Sequence, residues 1–124
     1  FFKQKTAYEI IAGDWSSDVC SSDLGQVHHF MAVESEEERG YGLKRFMAET
    51  RRLYGLMDRR LSDHAYFAGS PSIADFALLG WVWRRHQRHQ VDLADFPNVG
   101  RWYSSMMARP AVIRGFAVPM LSVK

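Results

Sequence analysis

The chain has 124 residues, a formal charge of +2, and is 47% apolar and 24% charged. That is the size and composition of one globular domain rather than a disordered polymer. The longest apolar run, Phe76 to Trp83, falls far short of the roughly 20 residues of a membrane span, no secretory leader pattern opens the chain, and a single cysteine, Cys20, excludes an internal disulfide and a cysteine metal site.

Charge divides unevenly along the chain. Residues 1–24 hold two lysines against four acidic residues, whereas residues 25–124 hold fourteen basic against ten acidic residues, with arginine in all but two of the basic positions. Phe1 to Leu24 shows no helical or strand period beyond one turn, and Ser-Ser-Asp occurs twice, at Ser16–Asp18 and Ser21–Asp23. Lys3-Gln4-Lys5-Thr6-Ala7-Tyr8-Glu9-Ile10 resembles the translation of the flow-cell end of a sequencing-library adapter. Asp14-Trp15-Ser16-Ser17-Asp18-Val19-Cys20-Ser21-Ser22-Asp23-Leu24 resembles its translated read-primer site, and Ile11-Ala12-Gly13 sits where a barcode lies. The expectation is that residues 1–24 are an adapter-derived artefact with no domain of their own.

From Gly25 the pattern is helical. Glu34 to Glu38 is an acidic run suited to the positive N-terminal end of a helix. Leu43, Phe46, Met47, Thr50, Leu53, Tyr54, Met57 and Leu61 then recur at three- and four-residue steps, which predicts one long helix from about Glu37 to Ser62. Gly40, Gly42 and Gly55 weaken it by roughly 1 kcal/mol each relative to alanine. Its other face carries Arg45, Glu49, Arg52, Arg59 and Arg60.

Asp63 to Pro71 reads as a loop. Ser72-Ile73-Ala74-Asp75 reads as a capping box with aspartate in the place of glutamate. The helix it opens is predicted from Ile73 to about His89, apolar all round as far as Trp83 and therefore central and buried, with Gly80 allowing a close approach. Its polar end, Arg84 to His89, suits the negative end of the helix dipole. Val91 to Phe96 is a connector. Pro97 opens a third helix with Val99, Trp102, Tyr103 and Met106 inside. Arg109-Pro110 ends it, and a short turn from Ala111 to Gly115 follows.

Candidate chemistry is sparse. His86 and His89 have no carboxylate or third ligand at metal spacing, so a solvated helix end is the better reading. One of His28 and His29 is a candidate pocket residue. The Arg84–His89 cluster lacks the interleaved aromatics of a nucleic-acid surface. Asp75 is explained by capping, and Ser72 has no partner that would make it a nucleophile. Arg45 and Arg52, seven residues apart, are either solvated or hold the carboxylates of a ligand.

Tyr66-Phe67-Ala68-Gly69, Ser72-Ile73-Ala74-Asp75-Phe76-Ala77, Asp95-Phe96-Pro97-Asn98-Val99, Trp102 and Arg109-Pro110-Ala111-Val112 resemble, in order and spacing, the C-terminal helical domain of glutathione transferases. Gly25-Gln26, His28-His29-Phe30, Arg45-Phe46 and Glu49-Thr50-Arg51-Arg52-Leu53-Tyr54 resemble the bacterial nu-class type, which includes glutathione-dependent disulfide-bond oxidoreductases. The resemblance covers nearly all of residues 25–119 and leaves 120–124 as a tail. It implies an all-α fold, an incomplete helical bundle whose first helix survives as the tail Gly25–Phe30, and a missing N-terminal thioredoxin-like domain that carries the thiol-activating residue. No catalytic residue and no metal ligand carries over, and Arg45 is the one glutathione contact that does. For the intact enzyme the resemblance implies a cytoplasmic homodimer, with glutathione as substrate beside a small electrophile or a disulfide, and neither a membrane nor a nucleic-acid partner. The rival is a non-catalytic helical docking module of a translation-associated protein. The loop between Gly69 and Ser72 is one residue shorter than the family pattern, with Pro71 where an aromatic commonly stands, which is expected to loosen the capping box.

Overall fold

The computed structural model describes residues 17–83, 86 and 89–118. These form five α-helices and one 3-10 turn: α1 (Ser17–Ala32), α2 (Glu36–Ser62), α3 (Ile73–Val82), the turn Leu93–Asp95, α4 (Pro97–Met107) and α5 (Pro110–Ala117). No strand occurs among the described residues, so the all-α expectation holds. No helix among them is long and apolar enough to cross a membrane.

The long helix α2 supplies one wall of the core. Its stripe is buried at Thr50, Leu53, Tyr54, Met57 and Leu61 and half-buried at Leu43, Phe46 and Met47. Against it lie Leu24 and Val27 of α1, Leu78, Leu79 and Val82 of α3, and Val99, Trp102 and Met106 of α4, all buried. A polar clasp fixes α4 to α2. Asp58 accepts from the amides of Asn98 (2.8 Å) and Val99 (3.1 Å) and from the Asn98 side chain (3.0 Å). Phe96, the residue before α4, has no capping side chain of its own, so a carboxylate from another helix satisfies amides that the first turn leaves open. Arg51 of α2 also reaches Asp95 of the 3-10 turn at 2.9 Å.

The capping box forms despite the short loop. The Asp75 carboxylate accepts from the Ser72 amide (2.9 Å) and hydroxyl (3.1 Å), from the Phe67 amide (3.2 Å), and from the Trp102 indole (2.9 Å). The Ser72 hydroxyl accepts in turn from Ala74. Two of the donors to Asp75 lie outside the box, and they tie the loop and α4 to the start of α3.

Four expectations are corrected. The backbone is already helical from Ser17, so the stretch ending at Leu24 is not without regular structure. Leu24 and Val27, three residues apart, are both buried against the neighbouring helices, and that tertiary cover sustains α1 where local pattern alone did not predict it. Helix α3 stops at Val82 instead of running on to His89. Trp83 leaves the helical region, Gln90 takes a left-handed φ of 52°, and the Val91 amide donates back to His86. Third, α3 is buried on one side only. Ala74, Asp75, Leu78, Leu79 and Val82 face inward, while Ile73, Phe76, Ala77 and Gly80 are exposed, and a Cβ at Gly80 would meet no atom within 4 Å. Last, the turn expected after Pro110 is a full helix, α5, whose Val112 is buried.

Candidate functional site

A ligand-sized cleft lies on α2, beside the hairpin that α2 forms with α1. The three-residue connection Val33–Ser35 folds α2 back on α1. The Phe30 ring lies directly on Gly42, and a Cβ there would collide with three of its ring carbons. Gly42 is therefore a packing glycine, and the helix propensity it sacrifices is offset by an aromatic ring brought against the backbone. Phe30 stacks on Phe46 with centroids 5.5 Å apart and planes inclined by 22°, and His29 meets the edge of Phe30 at 5.3 Å. The Arg45 guanidinium sits 5.8 Å from the Phe46 centroid, within the range at which a cation is attracted to a ring face.

One turn further on, Arg52 grips Glu49 as a fork. Its Nε donates to both carboxylate oxygens at 3.0 and 2.9 Å, and its Nη2 donates to Oε1 at 2.7 Å. These hydrogen bonds, with the guanidinium charge, hold the Glu49 carboxyl below its ordinary value against the opposing effect of burial. Arg45, Phe46, Ala48, Glu49 and Arg52 together line an open cleft of about 380 Å³, within the range of small-molecule sites. The pair Arg45 and Arg52, singled out for their spacing, thus shares one cleft. Arg45 has no acidic partner among the described residues.

The other candidates separate from this cleft. His29 is exposed beside Phe30, and the side chain of His28 lies outside the description. His86 and His89 are not on a solvated helix end. His86 is half-buried, with Nδ1 3.4 Å from the Val82 carbonyl, and His89 is fully buried with Nδ1 3.3 Å from the Tyr54 hydroxyl. Arg84, Arg85, Gln87 and Arg88 of the basic cluster lie outside the described residues. No group of three or more metal-ligating side chains occurs among the described residues. Asp75 is held by four donors at the start of α3.

Sequence reasoning missed Phe30, Gly42 and Glu49 as parts of the site. Two signals were available. A glycine immediately ahead of a regular apolar stripe, inside a helix, asks for a packing reason, and Arg45 and Glu49 stand four apart on one face. A second cleft, apolar and about 290 Å³, lies between α3 and α5 and is lined by Phe76, Leu79, Gly80, Val112 and Phe116 among others. Phe116 stacks on Trp83 at 3.9 Å at its edge.

A family profile described as "Glutathione S-transferase, C-terminal domain" matches residues 24–110. The disulfide-bond oxidoreductase YfcG of Escherichia coli strain K12 is 37% identical over 89 residues, which are 71% of this chain and 40% of that protein. Among solved structures, a glutathione transferase from Burkholderia graminis, with two glutathione molecules bound per subunit, superposes with a TM-score of 0.74 at 29% identity, over 97% of this chain and 50% of that one. A glutathione transferase from Pseudomonas putida, with one glutathione disulfide bound per subunit, gives a TM-score of 0.73 at 28% identity, over 96% and 52%. The chain thus spans about half the length of the relatives it matches.

Proposed function

This chain belongs to the glutathione S-transferase C-terminal domain family, and on that premise we propose that it is the helical half of a glutathione-dependent enzyme that conjugates electrophiles, reduces disulfides, or does both. The missing half is a thioredoxin-like domain that binds most of glutathione and stabilises its thiolate, and the intact protein is a cytoplasmic homodimer. In conjugation the thiolate sulfur attacks an electrophilic carbon, and the leaving group departs with its electron pair. In reduction it attacks one sulfur of a disulfide and expels the other as thiolate. A second glutathione resolves the mixed disulfide, so that two glutathiones are oxidised to one glutathione disulfide for each substrate disulfide reduced. A lowered thiol pKa raises the reactive thiolate fraction near neutrality.

The observation that carries this reading is Arg45. It is a cation without an acidic partner among the described residues, set over Phe46 in a cleft of ligand size, and solved structures that superpose on the same residues are glutathione transferases with glutathione or its disulfide bound. Arginine binds carboxylates bidentately, and glutathione carries two. In the restored full-length protein, Arg45→Ala is expected to weaken glutathione binding by about tenfold or more, as loss of a charge-assisted hydrogen bond does. Unchanged affinity by calorimetry, with the helical circular dichroism intact, removes Arg45 from the site.

The adapter reading of residues 1–24 also stands as a proposal. An independent genomic read through the locus is expected to diverge from this sequence just before Gly25 and to continue into a thioredoxin-like reading frame. Recovery of Phe1 to Leu24 in frame directly before Gly25 in that genomic read overturns it.

A further inference from the structure

We infer that the C-terminal end of α2 holds a site for inorganic phosphate, in which Arg59 and Arg60 take the anionic oxygens of hydrogen phosphate and Asp63 accepts its P–OH. Leu56, Arg59, Arg60, Asp63 and His64 line an open cleft of about 240 Å³ there. It shares no lining residue with the cleft at Arg45, and the inference does not rest on the glutathione reading.

Cations gather at a helix C-terminus because its last carbonyls lack partners and its dipole is negative there. At this terminus other groups already meet that need. The Ser62 hydroxyl donates to the Arg59 carbonyl at 2.7 Å, and His64 Nδ1 lies 3.2 Å from the Arg60 carbonyl, which can only accept from it. Arg101 of α4 donates to the carbonyls of Leu61 and His64. The guanidinium of Arg59 is thus surplus to capping, and it has no acidic partner among the described residues. Arg60 is half-buried and anchored through Nε, which donates to the Phe67 carbonyl at 3.0 Å. That anchor sets the plane of its guanidinium and leaves the Nη groups as pre-oriented donors for an anion.

Asp63 gives the cleft its selectivity. It stands four residues after Arg59, yet no ion pair joins them, and an arginine one turn ahead of a carboxylate is the weaker helical order of such a pair. A ligand that satisfies two guanidiniums and a carboxylate presents acceptor oxygens to the first and a hydroxyl to the second. Sulfate and ionised carboxylates offer acceptors alone. Inorganic phosphate offers both, because each of its forms populated near neutrality keeps a P–OH.

The test follows the backbone amide shifts of Arg59 to His64 by NMR while the full-length protein is titrated at fixed ionic strength. The probes are inorganic phosphate, sulfate and methyl phosphate. At about pH 7.5 the monoester, with a second pKa of about 6, has lost its P–OH. Inorganic phosphate is expected to bind about tenfold more tightly than either, the scale of one charged hydrogen bond. Asp63→Asn is expected to remove that preference, and Arg59→Ala to weaken all three anions by about tenfold. Both side chains are exposed, so melting temperatures are expected to match the unmodified protein. Absence of saturable shifts at millimolar phosphate overturns the site. Equal binding of phosphate and sulfate, or a preference that survives Asp63→Asn, reduces the cleft to an unselective cationic patch and overturns the assignment to phosphate. Methyl phosphate binding as tightly as inorganic phosphate removes the P–OH contact and overturns it as well.

Discussion

Asp75 concentrates more of the structure than its place in a capping box suggests. A cap lost to alanine typically costs about 0.5–2 kcal/mol. Here the same carboxylate also holds the Phe67 amide and the Trp102 indole in a fully buried setting. Its removal strands donors that each cost roughly 1–3 kcal/mol when buried and unpaired. Asp75→Ala is therefore expected to lose at least about 3 kcal/mol in urea denaturation, against about 1 kcal/mol for Ser72→Ala, which removes one acceptor and one of the four donors to Asp75. Equal losses for the two variants would confine Asp75 to the cap. Glu49 behaves differently, because its partner is a half-exposed arginine on the same helix. Its carboxyl is held below the ordinary value of 4.5, chiefly by hydrogen bonds from Arg52. A carboxyl lowered in the folded state stabilises fully above its unfolded value, and that contribution is lost as pH falls through the folded value. Glu49→Gln is accordingly expected to reduce the difference in unfolding free energy between about pH 7 and about pH 3, by no more than the roughly 0–1 kcal/mol of an exposed pair. A difference unchanged by the substitution would show that the fork does not persist in solution.

Among the elements, α2 carries the site and α3 the core contact, and their legibility differs for a physical reason. The stripe of α2 runs over several turns, so its period outweighs three glycines, and the observed Glu36–Ser62 lies within a residue of the span read from the pattern. The start of α3 was equally plain, because a capping box is a local device. Its end was not. Arg84 to His89 has the composition of a helix terminus, but His89 is drawn inward to Tyr54 and Gln90 reverses the backbone, and neither contact has a local signature. The cleft divides in the same way. Arg45 and Arg52 were legible from their spacing on one side of the helix, whereas Phe30 and Gly42 meet only when two helices pack. Gly42→Ala tests that packing. Local propensity favours alanine by about 1 kcal/mol in a helix. The Phe30 ring occupies the space of the new methyl, and overpacking of this kind costs about 1–3 kcal/mol. The substitution is expected to destabilise the chain in thermal unfolding and to disturb the Phe30–Phe46 stack. A higher melting temperature would show that α1 yields freely.

At the scale of the whole molecule, the described residues leave one apolar surface uncovered. Ile73 and Phe76 on α3 are 69% and 46% exposed, and Ile113 and Val118, in and just after α5, are 54% and 67% exposed. Phe76 among them lines the apolar cleft between these helices. Patches beyond a few hundred Å² mark surfaces that associate. The 124-residue chain, expressed alone, is expected to bind a hydrophobic dye and to sediment as a concentration-dependent mixture of species, without turnover of glutathione. A dye-silent monomer across the concentration range would show that the surface is too dispersed to act as one patch.

The clasp between Asp58 and the first turn of α4 also bears on how the chain assembles. The carboxylate that caps α4 precedes Asn98 by forty positions, so the first turn of the helix is completed from outside it. Costly initiation is what makes short helices marginal in isolation, and α4 has only 11 residues. During synthesis α2 leaves the ribosome long before α4 does, and it presents Asp58 as a ready-made docking point for the amides of Asn98 and Val99. The contact then converts a late, long-range encounter into the seeding event of a helix, and the second half of the domain is templated by the first.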